Sequence, residues 1–144
     1  MTTYVSARDT LVAHINTSLS AALPDLKVFY ENTLSVDPDT VGDSFMKVTI
    51  EFTDSIQSDI DMDMNDMTVL PGDQTFGEVN FRLFVKEGTG VRTTLAIFDI
   101  IKTMMKFKIL GGVSAGVPTP GKKKSVSGWV SHDIDVPFSF YSKF

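Results

Sequence analysis

Three carboxylates spaced two apart, Asp59, Asp61 and Asp63, form the first pattern in this 144-residue chain that could hold a cation. A calcium loop takes oxygen ligands at positions one, three and five, then a Gly at six for the sharp turn and a bidentate Glu at twelve. Here the sixth position is Met64 and the twelfth is Leu70. The spacing therefore reads as one acidic face of a strand, on which alternate residues point the same way. A small cation-binding domain using residues 59–66 stays open as the alternative.

Gly88-Thr89-Gly90 stands before an amphipathic run, where a turn could cradle phosphate. A dinucleotide fingerprint would need a third Gly where Thr93 stands, and no Gly-Lys-Ser/Thr of a nucleotide P-loop is present. A flexible strand-to-helix turn is the better reading. His14 and His132 are the only imidazoles, and no nucleophile elbow or zinc-ligand spacing accompanies them. The absence of Cys excludes disulfides, thiolate zinc sites and cysteine nucleophiles. The expectation is a protein that is not an enzyme, with no catalytic residues, metal centre or cofactor.

Residues 111–124 hold Gly111, Gly112, Gly116, Pro118, Pro120 and Gly121 and close on Lys122, Lys123 and Lys124. So long a Gly/Pro-rich connection is uncommon in compact domains, and the expectation is a flexible loop. Its lysines could meet phosphate without reading sequence. No aromatic residues interleave them, so base stacking is not indicated.

Charge is split along the chain. Residues 25–78 hold thirteen acids against Lys27 and Lys47, a balance of −11, while residues 79–144 sum to +6. The first 24 residues cancel, leaving the net −5. Opposite potentials on one subunit can steer it onto copies of itself. The composition is that of an ordinary globular chain, 42% hydrophobic with eleven Phe. Arg8, Asp9, His14 and Asn16 interrupt the start of the chain, so no secretory signal is expected. The charges within residues 91–107 argue against a membrane span.

These features need positioning elements. Ser6 is a plausible N-cap for a helix on which Leu11, Val12, Ile15, Leu19 and Leu23 recur, with Pro24 ending it. A short strand follows at Lys27 to Tyr30. Met46, Val48, Ile50 and Phe52 alternate with polar residues, as do Ile56 to Met64, Val79 to Val85 and Ile134 to Phe140. Each is a strand with one buried face. Pro71-Gly72-Asp73 should break the chain, and Pro137 should sit at an edge or bulge. A lone Trp129 reads as a core anchor. The second helix, residues 91–106, is apolar over more than half its circumference, and its surplus face suggests a subunit contact at Ile97, Ile101 and Met104. The expected architecture is one α+β domain over residues 1–144. Its form would be a two-layer sandwich, a mainly antiparallel sheet covered by two amphipathic helices.

Several short motifs fall in order along this frame. They are Tyr30-Glu31-Asn32 after the first helix, Phe45-Met46-Lys47-Val48 opening a strand, Gly77 before the next, Glu87-Gly88-Thr89-Gly90 leading into helix two, and Gly128-Trp129 before the last strand. Together they resemble the tail-terminator (tail-completion) family of long-tailed bacteriophages, the lambda-type minor tail proteins. The acidic run at 59–66 and the stretch at 111–124 depart from that pattern. The resemblance implies a structural virion protein at the head-proximal end of the tail, assembled in the host cytoplasm. It would form a homo-oligomeric ring, expected to be a hexamer, that caps the tail tube, stops its polymerisation and joins it to the head connector. Its partners would be itself, the tail tube protein and a neck protein, with non-specific contact to DNA in the lumen and none to membrane. On that reading Asp59, Asp61 and Asp63 meet a basic partner, and Lys122, Lys123 and Lys124 face the lumen or DNA. Another neck or tail-tube component of the virion is the alternative within the same class.

Overall fold

The first helix begins one turn before Ser6. In the computed structural model α1 spans Tyr4–Ala22, and Thr3 is its N-cap. The Ser6 backbone N–H donates to the Thr3 hydroxyl at 3.1 Å, and the Thr3 N–H donates to the Ser6 hydroxyl at 2.8 Å. This reciprocal box satisfies two donors that a helix start otherwise leaves open. Ala7, Leu11, Ile15 and Leu19 form the buried stripe. The structure describes residues 2–30, 44–63, 68–126 and 128–143, with the backbone alone at 54–63, 68–73, 126 and 142–143.

Strand β1 (Lys27–Tyr30) runs parallel to the start of β2 (Ser44–Asp63), which pairs antiparallel with β3 (Thr68–Lys86). After α2 (Val91–Met105) come β4 (Ile109–Leu110), β5 (Val113–Ala115), β6 (Thr119–Val126) and β7 (Trp129–Lys143). The sheet order is β1-β2-β3-β7-β5-β4, with β6 also on β7. The expected two-layer antiparallel sandwich is therefore wrong: the sheet is mixed and curls into half a barrel with two helices. Strand length explains the curl. Strands β2 and β3 have 20 and 19 residues, against about five or six in an ordinary strand, and right-handed twist accumulates along them. Two register shifts, at Phe52/Asp54 and Ser58/Asp61, bend the ribbon further.

Two punctuation marks act differently from their sequence reading. Pro71-Gly72-Asp73 lies inside β3, with Pro71 opposite the second shift, a place where a residue without an N–H is tolerated. The Gly/Pro/Lys stretch at 111–124 is largely strand. Gly111, at φ +59°, turns β4 into β5, and the three lysines stand on β6. Lysines are common on such strands because their charge discourages stray pairing. Pro137 fits its neighbours in a similar way. Its carbonyl accepts from the Gly116 N–H at 2.7 Å, so its ring nitrogen faces the gap where β5 has ended and β6 has yet to begin.

One core joins the helices to the sheet: Leu11, Ile15 and Leu19 with Ile97, Ile101, Met104 and Met105, against Met46, Val48, Phe81, Leu83, Ile134, Val136 and Phe140. His14 ties the helices together, its Nε2 donating to the Met104 carbonyl at 2.8 Å. Among the described residues no helix is long and apolar enough to cross a membrane.

Candidate functional site

Helix α2 has different surfaces at its two ends. At its C-terminus the chain leaves through Phe107, whose φ of +54° lies in the left-handed region that a bulky residue rarely adopts. That turn is held by three backbone hydrogen bonds, from Phe107 N–H to Gly116, from Lys108 N–H to Met105 and from Ala115 N–H to Lys108. The result is a fixed apolar projection, Phe107 at 68% and Ile109 at 77% exposure, alternating with Lys106 and Lys108. At the other end Val91 and Leu95 are 59% and 55% exposed. Beside them an open cleft of about 550 Å³ lies between the end of α1 and the start of α2, with Leu23, Pro24, Leu26 and Ala96 in its walls and Asp25 and Arg92 among its polar groups. The last turn of α1 carries no basic residue to offset its negative end. A 15-residue helix holds the two surfaces roughly 22 Å apart.

The helix-free face of the sheet is polar over most of its area and aromatic at one end. Arg82 donates to both Asp133 carboxylate oxygens, at 2.8 and 3.2 Å, and Asn80 donates to Asp135 at 2.8 Å. The hydrogen bond to Asp133 raises the Arg82 pKa further above its ordinary value, so the guanidinium stays charged. At the aromatic end Phe45 stacks on Phe84 at 4.6 Å between ring centroids and meets Trp129 edge-on at 5.2 Å, with Phe29 beyond. Lys47 and Lys86 lie over the Phe84 and Trp129 rings.

The sequence-derived site residues are not brought together. Ile97, Ile101 and Met104 are buried in the subunit's own core, so they do not form an outer face. The curled sheet covers a wider arc of α2 than a flat one would, and the exposed apolar positions are Val91 and Leu95. The side chains of Asp59, Asp61 and Asp63 lie outside the described residues, and only their place on the far part of β2 is known. Lys122, Lys123 and Lys124 are exposed on β6. Gly88 and Gly90, at φ +85° and +89°, make the turn from β3 into α2. His132 packs edge-on against Phe98. Burial lowers its pKa and Lys123 lowers it further, against a smaller pull from Asp133.

Two features escaped sequence reading. The aromatic group had a signal, since Phe45 and Phe84 fall out of phase with the buried positions of their strands. Phe107 had none, because nothing in its neighbours announces a left-handed backbone.

No family model and no curated protein matches this chain. A solved structure that carries only a sequence identifier for a name superposes with a TM-score of 0.62 at 15% identity, covering 92% of this chain and 94% of that one. That likeness establishes a shared fold and nothing further.

Proposed function

We propose that this chain is a structural virion protein of the tail-terminator kind, acting by surface complementarity and breaking no bonds. It assembles as a homo-oligomeric ring, a hexamer, that caps the tail tube, stops its growth and presents a surface to the head connector. The observation that carries the reading is the pair of unlike apolar surfaces at the two ends of α2. Apolar projections and clefts of this kind commonly mark protein contacts. Two different patches that fit each other are the requirement for a head-to-tail contact, which closes into a ring where the rotation allows. In this arrangement Phe107 and Ile109 of one copy enter the cleft walled by Leu23, Pro24 and Ala96 of the next. Lys106 and Lys108 then approach Asp25 and the negative end of α1, while Arg92 on the opposite wall fixes the orientation. The bacteriophage assignment itself rests on the short motifs, several of whose glycines the fold requires: Gly88, Gly90 and Gly128 at turns of positive φ, and Gly77 inside β3 against Phe138.

Complementation tests this reading. A chain with Phe107→Asp lacks the projection, and a chain with Ala96→Trp has a filled cleft. Each alone should sediment as a monomer, and an equal mixture should give a heterodimer and no larger species, while the unaltered chain forms rings visible by electron microscopy. A monomeric unaltered chain at high concentration refutes the ring. Intact rings in both variants refute the contact and leave the ring standing.

A further inference from the structure

The start of α2 faces a second, smaller cleft. About 260 Å³ in volume, it opens where the end of β3, the first turn of α2 and the β6–β7 ribbon meet. Gly90 caps the helix with no side-chain hydrogen bond, and the first turn carries no acidic residue. The first backbone N–H groups of a helix have no partner within it, and the positive end of the helix dipole lies there. That alone would say little, since every helix has such an end.

Side chains from elsewhere in the fold converge on it. Thr94 lines the cleft and is 2% exposed, and its hydroxyl has no hydrogen-bond partner among the described residues. No fully enclosed side-chain oxygen among those residues lacks a partner, so the little surface that this hydroxyl keeps is what it turns to the cleft. It is a donor available to a ligand or to water in the cleft. Lys123 on β6 stands directly across from His132 on β7, and both line the cleft with no carboxylate among the lining residues. Burial is the larger cause of the lowered pKa of His132, and Lys123, its ammonium near the ring, adds to it against Asp133.

We propose that this cleft binds a phosphate-class oxyanion, held by the backbone N–H groups at the start of α2, the Thr94 hydroxyl, Lys123 and His132. Each can supply a donor or positive charge: the hydroxyl can turn, and the neutral imidazole can present its N–H. The chemistry suits free phosphate or one phosphodiester of a nucleic-acid backbone. The site was hidden in the sequence because Gly88-Thr89-Gly90 lacks the glycine and lysine of the known fingerprints. The lysine arrives instead from β6, a strand that follows α2.

The full chain, labelled with ¹⁵N and held at constant ionic strength, is titrated with inorganic phosphate. The expected result is a saturable shift of the Val91, Arg92, Thr93 and Thr94 amides. Lys123→Ala and Thr94→Val should each weaken binding about tenfold, as for loss of a charge-assisted hydrogen bond, while Thr94→Ser retains it. A short DNA duplex that moves the same amides identifies a phosphodiester as the source, and phosphate acting alone identifies the free anion. Lys123 is exposed, so its variant folds even if Thr94→Val does not. Shifts that fail to saturate, or that spread equally over Lys122 and Lys124, overturn the proposal, as does an unchanged affinity in Lys123→Ala.

Discussion

Phe138 stands directly across the β3–β7 ladder from Gly77, and its ring occupies the space where a side chain at that position would begin. A methyl group there would overlap the ring and the Glu51 carbonyl oxygen, which the adjoining bulge in β2 brings close. Gly77→Ala should therefore lower stability by about 1–3 kcal/mol, the range for overpacking a filled core. Thermal unfolding measures it as a fall of several degrees. Combining Gly77→Ala with Phe138→Leu should cost less than the sum of the two changes, because they share one space. Additive losses would show that the ring is not the obstacle.

His14 carries a second stabilising role. The Met104 carbonyl belongs to the last turn of α2, where no helical N–H remains to satisfy it, and the imidazole supplies the donor at 2.8 Å. His14→Ala should cost about 1–2 kcal/mol by leaving that half-buried carbonyl unpaired. Denaturant unfolding of the variant, with His14→Gln as the partner that keeps a donor, separates the hydrogen bond from the loss of packing. Equal losses in the two variants would assign the effect to packing.

These residues show what the sequence could and could not convey. Alternation located the buried faces of β2, β3 and β7, because a period of two is local: Val48, Phe81 and Val136 each report their own orientation. The second helix was equally plain from its apolar positions. Curvature was not legible, since it arises from the joint length of β2 and β3 and from bulges whose register only pairing defines. The same limit misplaced Ile97, Ile101 and Met104, because how much of a helix is covered depends on how far the sheet wraps. The stretch at 111–124 looked like a loop because Gly and Pro dominate it, yet Gly111 and Gly116 serve tight connections between strands. Thr94, Lys123 and His132 belong to three elements, and nothing in the spacing between them predicts that they meet.

His132 should make stability depend on pH in a stated direction. Its folded pKa lies below its ordinary value near 6.5, so the unfolded chain takes up the proton first as pH falls. The stabilisation is fully present above about pH 6.5 and is lost as pH falls from there through the folded pKa. Burial is the largest cause, with the Phe98 ring against the imidazole, and Lys123 adds to the lowering while Asp133 opposes it. Melting temperatures at pH 7.5 and 5.5 should differ more for the unaltered chain than for His132→Gln. An NMR titration of the ring should show its pKa rising in Lys123→Ala, and a fall or no change would remove Lys123 as a cause.

The three lysines of β6 should separate by face. Lys123 pairs with His132 on the helix side, while Lys124 pairs with Ser131 on the open side, and Lys122 stands in the register shift that precedes them. All three are exposed, so replacing them with Ala should change stability by less than about 0.5 kcal/mol. If the open side faces nucleic acid in an assembled ring, Lys122→Ala with Lys124→Ala should weaken DNA retention and reduce the dependence of log affinity on log salt. The slope should fall by about 0.9 for each phosphate that is no longer neutralised. The same double variant should leave the phosphate-induced shifts at Val91 to Thr94 intact, and Lys123→Ala alone should do the reverse. Retention of DNA by the double variant with an unchanged salt slope would remove the open face of β6 as a nucleic-acid surface. The lysines there would then be explained by edge protection alone, and the double variant should aggregate sooner than the unaltered chain.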